Sequence, residues 1–294
     1  MKDEHGEPVR IPGSCKGVKA IGWFIEEYGV AQISMNITDT KLTALHEAFE
    51  ATRESANQRG LRVTGSELVG MVPLQVILDA GKYFLAQQQR SLGISEEEII
   101  KIAVKSLGLD ELGPFDPKQK IIEYQLRADQ PTPLADMSLR QFANETASES
   151  PAPGGGSIAA YLGALGAGLG TMVANLSSHK RGWDDRWAEF SEWAERGQAI
   201  KEELLLLVDQ DTQAFEAVLT AFRLPKGSDE EKAARQQAIQ DATKNAMAVP
   251  FQVIEAATKV FPLCRAMAEN GLKASVSDAA VGALCARAAV HGAY

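Results

Sequence analysis

Apolar and polar side chains alternate near the start of the chain in a pattern typical of β-strands. The segment Val18–Glu26 is predicted to be a strand and is followed by a turn at Gly29. Every second residue from Ala31 to Ile37 is then apolar, which predicts a second strand with one dry face. The two strands are close enough in sequence to pair as a hairpin. Downstream, the pattern predicts a helix from near Lys41 to Gly60, a strand over Leu61–Val69, and helices over Leu74–Gln88 and Ser95–Gly108. These elements predict a small two-layer α+β domain that ends near Leu126.

The second half of the chain has helical spacing throughout and no strand alternation. Residues 127–136 contain two prolines and no periodicity, so we interpret them as a linker. Beyond it, the spacing of apolar residues predicts helices over Ser138–Thr146, Ser157–Ser177, Trp187–Arg223, Asp229–Ala268 and Asp278–His291. Pro250 is expected to break or kink the fourth of these, because proline cannot donate the helical hydrogen bond. Residues 137–294 are therefore predicted to form an all-α bundle.

Composition narrows the class of protein. A chain of 294 residues with 45% hydrophobic and 23% charged side chains fits about two ordinary globular domains. The net charge of −9 makes nucleic acid a poor partner, since phosphates attract basic surfaces. Cys15, Cys264 and Cys285 are too widely spaced for a disulfide scaffold or a zinc knuckle, and the four histidines lack metal-ligand spacing, so no metal is expected. Unpaired cysteines and the lack of a signal-peptide pattern predict a cytoplasmic protein.

One predicted helix also has the length of a membrane span. Ser157–Leu176 carries no charge, spans about 20 residues and contains a GxxxG pair at Gly166 and Gly170. The run is mostly alanine and glycine, however, and large apolar side chains supply most of the drive for membrane insertion. We therefore predict no membrane partner, and a buried helix whose small residues let neighbouring backbones come close.

Asp211 is the residue that departs most from its surroundings. It shares one helical face, at spacings of three and four, with Leu204, Val208, Phe215, Val218 and Phe222. A buried carboxylate without a partner is costly, and burial favours its protonated form. Such a group can take up and return a proton during catalysis. It can equally be a structural carboxylate paired with a buried arginine or a helix N-terminus, whereas Asp209 lies well round the helix.

Three glycines precede the uncharged helix. Gly154, Gly155 and Gly156 are followed by Ser157, and glycine allows backbone conformations that other residues avoid. The free N–H groups of the helix start that follows predict a site for an anion or a carbonyl group. The motif matches neither a Walker A sequence nor GxGxxG, so a nucleotide site is not expected. The alternative is a flexible loop capped by Ser157.

Charged residues at helix ends are further candidates for substrate binding. Lys180 and Arg181 follow the glycine-rich helix, and Lys226 follows the Asp211 helix; each could bind a carboxylate. Cations at a helix C-terminus also suit the helix dipole without any ligand. Ser277 and Asp278 have the pattern of an N-cap and a first-turn acid, so capping is their simpler explanation.

Several segments spread over nearly the whole chain occur together in one order. They are GVKAIGW (Gly17–Trp23), AQISMNITD (Ala31–Asp39), TALHEAFE (Thr43–Glu50), GSELVGMVPL (Gly65–Leu74), LGLDELGPFDPKQKIIEY (Leu107–Tyr124), APGGGS (Ala152–Ser157), LVDQDTQAF (Leu207–Phe215), RLPK (Arg223–Lys226) and VSDAAV (Val276–Val281). In this combination the chain resembles the formimidoyltransferase-cyclodeaminases, bifunctional folate enzymes of histidine breakdown.

The resemblance implies a fold and an activity. It implies an α+β chain in which a small ferredoxin-like two-layer domain, the C-terminal subdomain of the transferase (residues 1–126), precedes the helical cyclodeaminase domain. The transferase moves a formimino group from formiminoglutamate to tetrahydrofolate. The cyclodeaminase converts 5-formimidoyltetrahydrofolate to 5,10-methenyltetrahydrofolate and ammonia. Tetrahydrofolate, with a tail that further glutamates can extend, is thus the implied carrier, and self-association through the helical domain is expected.

The resemblance also assigns roles to the candidate residues. The second aspartate of the family's DxD motif is catalytic, and it falls on Asp211. Lys180, Arg181 and Lys226 are then candidates for the folate tail, and Gly154–Ser157 for the pterin edge or the reacting amidine. Ser277 and Asp278 belong to a related motif and become substrate-binding candidates.

The chain also departs from the family pattern. The transferase subdomain that carries the catalytic histidine has no counterpart here, and the cyclodeaminase pattern normally continues beyond Tyr294. We therefore interpret the sequence as a partial family member that carries mainly the cyclodeaminase step. The alternatives are a methenyltetrahydrofolate cyclohydrolase, which shares the bundle, and a non-catalytic folate-binding or assembly fragment.

Overall fold

A computed structural model describes residues 13–127 and 134–294 of the chain. The described residues divide into two compact units. The first contains residues 13–88 and 96–127, and the second contains residues 89–95 and 134–294. The short segment 89–95 therefore belongs to the second unit, although the sequence pattern predicts it to lie within the first domain.

The first unit contains one β-hairpin and five helices. Its elements are β1 (Val18–Ile25), β2 (Val30–Ile37), α1 (Leu45–Asn57), α2 (Leu74–Gln87), α3 (Glu96–Leu107), α4 (Pro117–Lys120) and α5 (Ile122–Arg127). The predicted hairpin is confirmed, with antiparallel register from Val18 opposite Ile37 to Ile25 opposite Val30. The core of the unit lies on the apolar faces of α2 and α3, where Ile77, Ala103 and Leu107 are buried.

Two predicted elements of the first unit are corrected by the structure. Helix α1 begins at Leu45 rather than near Lys41, because the Asp39 carboxylate accepts the Lys41 N–H and holds that segment in a turn. The predicted strand Leu61–Val69 does not form. There, Ser66 donates its N–H to the Gly108 carbonyl and its hydroxyl to the Leu107 carbonyl, so the segment bonds to the end of a helix instead of a strand.

The structure supports the α+β class at a coarser level than the sequence prediction. The described residues form a sheet of two strands, together with an isolated parallel bridge between Val72 and Ile121. A ferredoxin-like domain needs more strands than this, so that detail stays a prediction.

The second unit is a bundle of helices, as predicted. Its elements are α6 (Leu139–Thr146), α7 (Gly155–Ser178), α8 (Trp187–Arg223), α9 (Asp229–Thr258), α10 (Val260–Asn270) and α11 (Val276–Ala293), with short 3₁₀ turns at Leu134–Asp136, Asp184–Arg186 and Lys273–Ser275. Of the predicted linker 127–136, residues 128–133 lie outside the described residues. Its last three residues form the first of these turns.

Helix α7 lies at the centre of the bundle and packs against α8 and α11. Gly163 contacts the Leu204 side chain of α8, and Gly166 lies against the backbone carbonyl of Gly282 in α11. Among the described residues, α7 is the helix whose length and composition would allow it to cross a membrane. However, 61% of its most apolar window is buried against other helices, which is the packing of a core helix.

The end of the fourth predicted helix is also corrected. Helix α9 runs through Pro250 without ending there, and the chain instead divides at Lys259, between α9 and α10. Pro262 lies in the first turn of α10, where a missing N–H leaves no helical hydrogen bond unmade. A proline in this position is therefore compatible with the start of a new helix at Val260.

The close approach of α7 and α11 can be tested with two glycines of the same helix. A methyl group at Gly166 would lie 2.7 Å from the Gly282 carbonyl oxygen, whereas a methyl group at Gly168 would have no atom of the described part of the chain within 4 Å. We expect Gly166→Ala to lower the free energy of unfolding by about 1–3 kcal/mol through overpacking. Gly168→Ala should leave it unchanged or raise it by up to about 1 kcal/mol. Urea denaturation followed by circular dichroism measures both, and equal midpoints would contradict the proposed packing.

Candidate active site

The structure places the Asp211 carboxylate against the first turn of α7. Ser157 Oγ donates a hydrogen bond to Asp211 Oδ2 at 2.9 Å and lies 3.3 Å from Thr212 Oγ1. Ser157 is fully buried, and Asp211 is partly buried. The carboxylate is therefore held in one orientation by a side chain that solvent cannot reach.

Gly156 makes this approach possible. A methyl group at this position would overlap the Asp211 carboxylate, with its carbon 2.6 Å from Asp211 Cγ. Among the described residues, nothing lies within 4 Å of the corresponding positions at Gly154 and Gly155, so of the three glycines packing requires only Gly156. Gly154 is the N-cap of α7, and the helix begins at Gly155 rather than at Ser157 as predicted. The alternative of a loop capped by Ser157 is therefore not what the structure shows.

The carboxylate lies beside the N-terminal end of a helix. The first N–H groups of a helix have no partner within the helix, and they form the positive end of its dipole. Asp211 lies beside the N–H groups of the first turn of α7. This is also the structural pairing with a helix N-terminus that the sequence left open. A carboxylate in this place can stabilise the helix and still accept a proton from a bound molecule.

The apolar face around Asp211 is buried on only one side. Leu204 and Val208, which precede Asp211, are fully buried, whereas Phe215 and Phe222 are 42% and 53% exposed. The prediction that all these residues face the core is therefore wrong for Phe215 and Phe222, while Val218 is half-buried. Ala214 and Ala221 keep another face of α8 buried, but the face that carries Phe215 and Phe222 is open to solvent beside Asp211.

Asp209 has a role that the sequence did not reveal. Its Oδ1 accepts the Leu134 N–H at 2.6 Å, which ties the turn Leu134–Asp136 to α8. Burial raises the pKa of Asp209, and the charge of Asp136 adds to this effect, while hydrogen bonds from the N–H groups of Leu134 and Ala135 oppose it. The DxD spacing points to the two aspartates, but only the tertiary structure shows that they act on different parts of the unit.

The structure does not bring the predicted tail-binding cations to Asp211 within one chain. Lys180 and Arg181 follow the C-terminus of α7, about 36 Å from its N-terminus at 1.5 Å per residue. Lys180 Nζ lies 3.9 Å from the ring centroid of Trp183, a cation–π contact that gives it a structural role. Lys226 is exposed and follows the end of α8, which continues for about 18 Å beyond Asp211.

Ser277 and Asp278 lie at the same distant end of the bundle. Helix α11 runs antiparallel to α7, since Gly292 is near Ala159 while Gly282 is near Gly166. Its first turn, which contains Ser277 and Asp278, therefore lies beside the C-terminal end of α7. Ser277 is inside the helix, which begins at Val276, so its predicted N-cap role is wrong.

The candidate residues thus fall into two groups. One group combines Asp211, Ser157 and Gly156 at the N-terminus of α7, with Gly154 and Gly155 beside them. The other lies at the opposite end of the bundle. Among residues 13–127 and 134–294, no three histidine, cysteine or acidic side chains are grouped as metal ligands. The first group has the parts of an acid–base centre: a carboxylate, a fixed hydroxyl and free backbone N–H groups.

The chain thus combines a small α+β unit with a helical bundle in which a carboxylate lies at a glycine-rich helix start. Its residues 138–294 match the family model described as formiminotransferase-cyclodeaminase, and residues 2–127 match the formiminotransferase domain. The chain belongs to the formiminotransferase-cyclodeaminase family.

Similar proteins come from animals and microorganisms. The chain is 40% identical over 292 residues to the formimidoyltransferase-cyclodeaminase of Mus musculus, covering 99% of this chain and 54% of that protein. It is 38% identical over 156 residues to the methenyltetrahydrofolate cyclohydrolase of Methylorubrum extorquens, covering 53% of this chain and 75% of that one. The chain thus spans about half the length of the bifunctional relatives it matches.

A solved structure is also similar. It is the formiminotetrahydrofolate cyclodeaminase of Thermotoga maritima, with 30% identity, a TM-score of 0.47, and coverage of 54% of this chain and 75% of that chain.

The anchoring role of Asp209 predicts different effects for two substitutions. Asp209→Ala leaves the Leu134 N–H without its acceptor and should lower the free energy of unfolding by about 1–3 kcal/mol. Asp209→Asn keeps an acceptor oxygen and removes the charge that burial disfavours, so it should stay within about 0.5 kcal/mol of the parent protein or exceed it at pH 7.

The pH dependence of the stability of Asp209→Asn tests whether the pKa of Asp209 is raised in the folded chain. Because the folded pKa of Asp209 is raised, the folded chain holds its proton more tightly than the unfolded chain. The contribution of Asp209 to stability is therefore lost as pH rises from the ordinary value of 3.8 through the raised pKa. Denaturation at several pH values should show Asp209→Asn gaining on the parent protein over that window, and a loss instead would contradict the assignment.

Proposed function

We propose that the helical unit catalyses the cyclodeaminase step of a folate pathway. The reaction converts 5-formimidoyltetrahydrofolate to 5,10-methenyltetrahydrofolate and ammonia. The observation that carries the proposal is the Asp211 carboxylate, fixed by Ser157 at 2.9 Å beside the glycine turn of α7. The family membership of residues 138–294 supports the same chemistry.

A single carboxylate can serve both proton transfers of this reaction. The formimino group enters the reaction protonated, as N5–CH=NH2⁺, and its positive charge ends on the methenyl product. N10 of the folate attacks the formimino carbon and forms a new C–N bond, which leaves an NH2 group on the tetrahedral carbon, and the proton that N10 loses passes to Asp211. The tetrahedral carbon then breaks its bond to the imino-derived nitrogen, which takes the proton and leaves as ammonia. Asp211 is thereby returned to its starting state, and no electron is gained or lost.

The start of α7 supplies the matching binding groups. Backbone N–H groups of Gly155, Gly156 and Ser157 are suited to the polar edge of the pterin or to the reacting amidine. Tetrahydrofolate is the carrier that the folate-processing relatives support. A glutamate-extended tail and a reaction without metal remain parts of the proposal.

The distant candidates are left out of the reacting centre. Lys180, Arg181, Ser277 and Asp278 lie at the other end of α7, and Lys226 lies beyond the end of α8. We keep the prediction that the helical unit self-associates, supported by exposed apolar side chains such as Phe251 and Leu284, which are 60% and 62% accessible. A cytoplasmic location is also part of the proposal.

We assign the first unit to the formimino-transfer part of the family. Residues 2–127 match the transferase domain, and 73 residues are 37% identical to the glutamate formimidoyltransferase of Thermoplasma acidophilum. Transfer from formiminoglutamate, and a role in histidine degradation, are therefore proposed for the longer family members to which this unit corresponds. The chain itself is proposed to carry mainly the cyclodeaminase step.

A second candidate function is methenyltetrahydrofolate cyclohydrolase. The 38% identity to such an enzyme over 156 residues favours it, and the same carboxylate could move a proton during hydrolysis. Supplying 5-formimidoyltetrahydrofolate and 5,10-methenyltetrahydrofolate in separate assays distinguishes the two functions. Ammonia release from the first supports the cyclodeaminase, whereas consumption of the second alone supports the cyclohydrolase.

Replacing the proposed proton carrier should abolish turnover without unfolding the bundle. We expect Asp211→Asn to lower the rate of methenyltetrahydrofolate formation by about 10²–10⁴-fold, because the amide cannot accept the proton. Absorbance of the product and ammonia release measure the rate. Glu216→Gln, on an exposed part of the same helix, is the matched control and should keep the parental rate. Near-parental turnover by the Asn variant would rule out the assignment.

The two neighbouring glycines give a second, geometric test. A methyl group at Gly156 would displace the Asp211 carboxylate, whereas the same group at Gly155 meets nothing within 4 Å. Gly156→Ala should therefore lower the turnover rate by about tenfold or more, as expected for a misplaced catalytic group. Gly155→Ala should stay near the parental rate. Equal rates in both variants would show that the contact with Gly156 does not matter for catalysis.

A further inference from the structure

A third polar side chain reaches the Asp211 carboxylate indirectly. Thr212 follows Asp211 on α8 and is partly buried. Its Oγ1 lies 3.3 Å from Ser157 Oγ, which in turn lies 2.9 Å from Asp211 Oδ2. The three side chains therefore form a series of two hydrogen bonds that starts on α8, crosses to α7 and returns to α8.

The direction of these two bonds follows from the number of hydroxyl protons. A serine hydroxyl has one proton to donate and two lone pairs that accept. When Asp211 is ionised, Ser157 gives its proton to Oδ2, since an ionised carboxylate can only accept. Toward Thr212, Ser157 Oγ can then only accept, so Thr212 Oγ1 is the donor of the second bond.

The Thr212 hydroxyl is not taken up by its own helix. A threonine inside a helix can donate to the carbonyl oxygen four residues earlier, as Thr146 and Thr171 do, each at 2.8 Å. Among the described residues, the hydrogen bond of Thr212 Oγ1 is the one with Ser157. Thr212 therefore directs its hydroxyl across to α7 rather than back along α8.

Ser157 depends on protein groups to hold its hydroxyl in place. The residue is fully buried, so bulk solvent cannot reach Oγ. Its proton can rotate about the Cβ–Oγ bond, and its side chain can change between staggered rotamers. Donation by Thr212 occupies a lone pair of Ser157 Oγ and thereby aims the remaining proton at Asp211. Bonds that share one hydroxyl in a protein interior also strengthen one another.

We propose that Thr212 is a positioning residue for the proton transfers of Asp211 and that it acts through the hydroxyl of Ser157. The inference rests on the proposed function of Asp211. Without the Thr212 hydroxyl, Ser157 has one partner fewer, and the carboxylate spends less time in its reacting orientation. This should lower kcat and leave KM nearly unchanged, because Thr212 bonds to Ser157 and is not proposed to bind substrate.

Two substitutions at Thr212 test the role of its hydroxyl in the full chain, with 5-formimidoyltetrahydrofolate as substrate. Thr212→Val keeps the shape of the side chain and should lower kcat by about fivefold or more, with KM within about twofold of the parental value. Thr212→Ser returns the hydroxyl and should recover most of the lost kcat. Thr220→Val, at an exposed threonine of the same helix, is the matched control and should keep the parental kcat.

A double-mutant cycle shows whether Thr212 acts through Ser157. In the Ser157→Ala background, Thr212→Val should cause no further loss of kcat, because the hydroxyl that it bonds is absent. Urea denaturation of the same four proteins keeps the test valid if Ser157→Ala has no turnover. The shift in midpoint caused by Thr212→Val should also disappear in the Ser157→Ala background. An equal loss of kcat, or an equal shift in midpoint, in both backgrounds would overturn the proposal.

The outcomes separate this inference from the proposed function. Loss of turnover in Asp211→Asn together with parental kcat in Thr212→Val overturns the positioning role alone. A loss in Thr212→Val that Thr212→Ser does not recover also overturns it, because the hydroxyl is then not the cause. Parental turnover by Asp211→Asn, or no turnover by the parent protein, overturns the proposed function and this inference with it.

Discussion

The helical unit depends on a central helix that lacks side chains where its neighbours approach. In α7, Gly163 admits the Leu204 side chain and Gly166 admits the backbone of α11 at Gly282. The same property continues into the first turn, where Gly156 leaves room for the Asp211 carboxylate. Helix α7 packs densely against its neighbours, and a charged side chain lies beside its free N–H groups. Both features depend on the same requirement, which is a residue without a side chain at the point of contact.

The polar groups of the helical unit lie at different positions along α7. At the N-terminus of the helix, a carboxylate faces the positive end of the dipole and a buried hydroxyl holds it in place. About 30 Å away along α7, the Asn175 side chain donates a hydrogen bond to the Gly93 carbonyl oxygen at 2.9 Å. Asp209 adds a third element, because it ties the turn before α6 to the same helix that carries Asp211.

The sequence pattern predicted helices and strands well where the spacing of apolar residues was regular. Alternation gave the hairpin, and helical spacing gave the long helices of the bundle. The predictions were wrong where a hydrogen bond to a distant segment, or the position of a proline within a helix, determined the local structure. Ser66 bonds to the end of α3 instead of a strand, and α9 gives way to α10 near Pro262 while continuing through Pro250. The spacing of apolar residues along a segment contains no information about hydrogen bonds to segments that are distant in sequence.

The sequence by itself determined that Asp211 interrupts an apolar helical face and that a glycine turn precedes an uncharged helix. It could do so because periodicity fixes which residues share one face of one helix. Only the tertiary structure decided that Gly156 and Ser157 meet Asp211, that Lys180 and Ser277 lie at the opposite end, and that Phe215 is exposed. Those outcomes depend on which helices become neighbours and in which direction they run, and the spacing within one helix carries no such information.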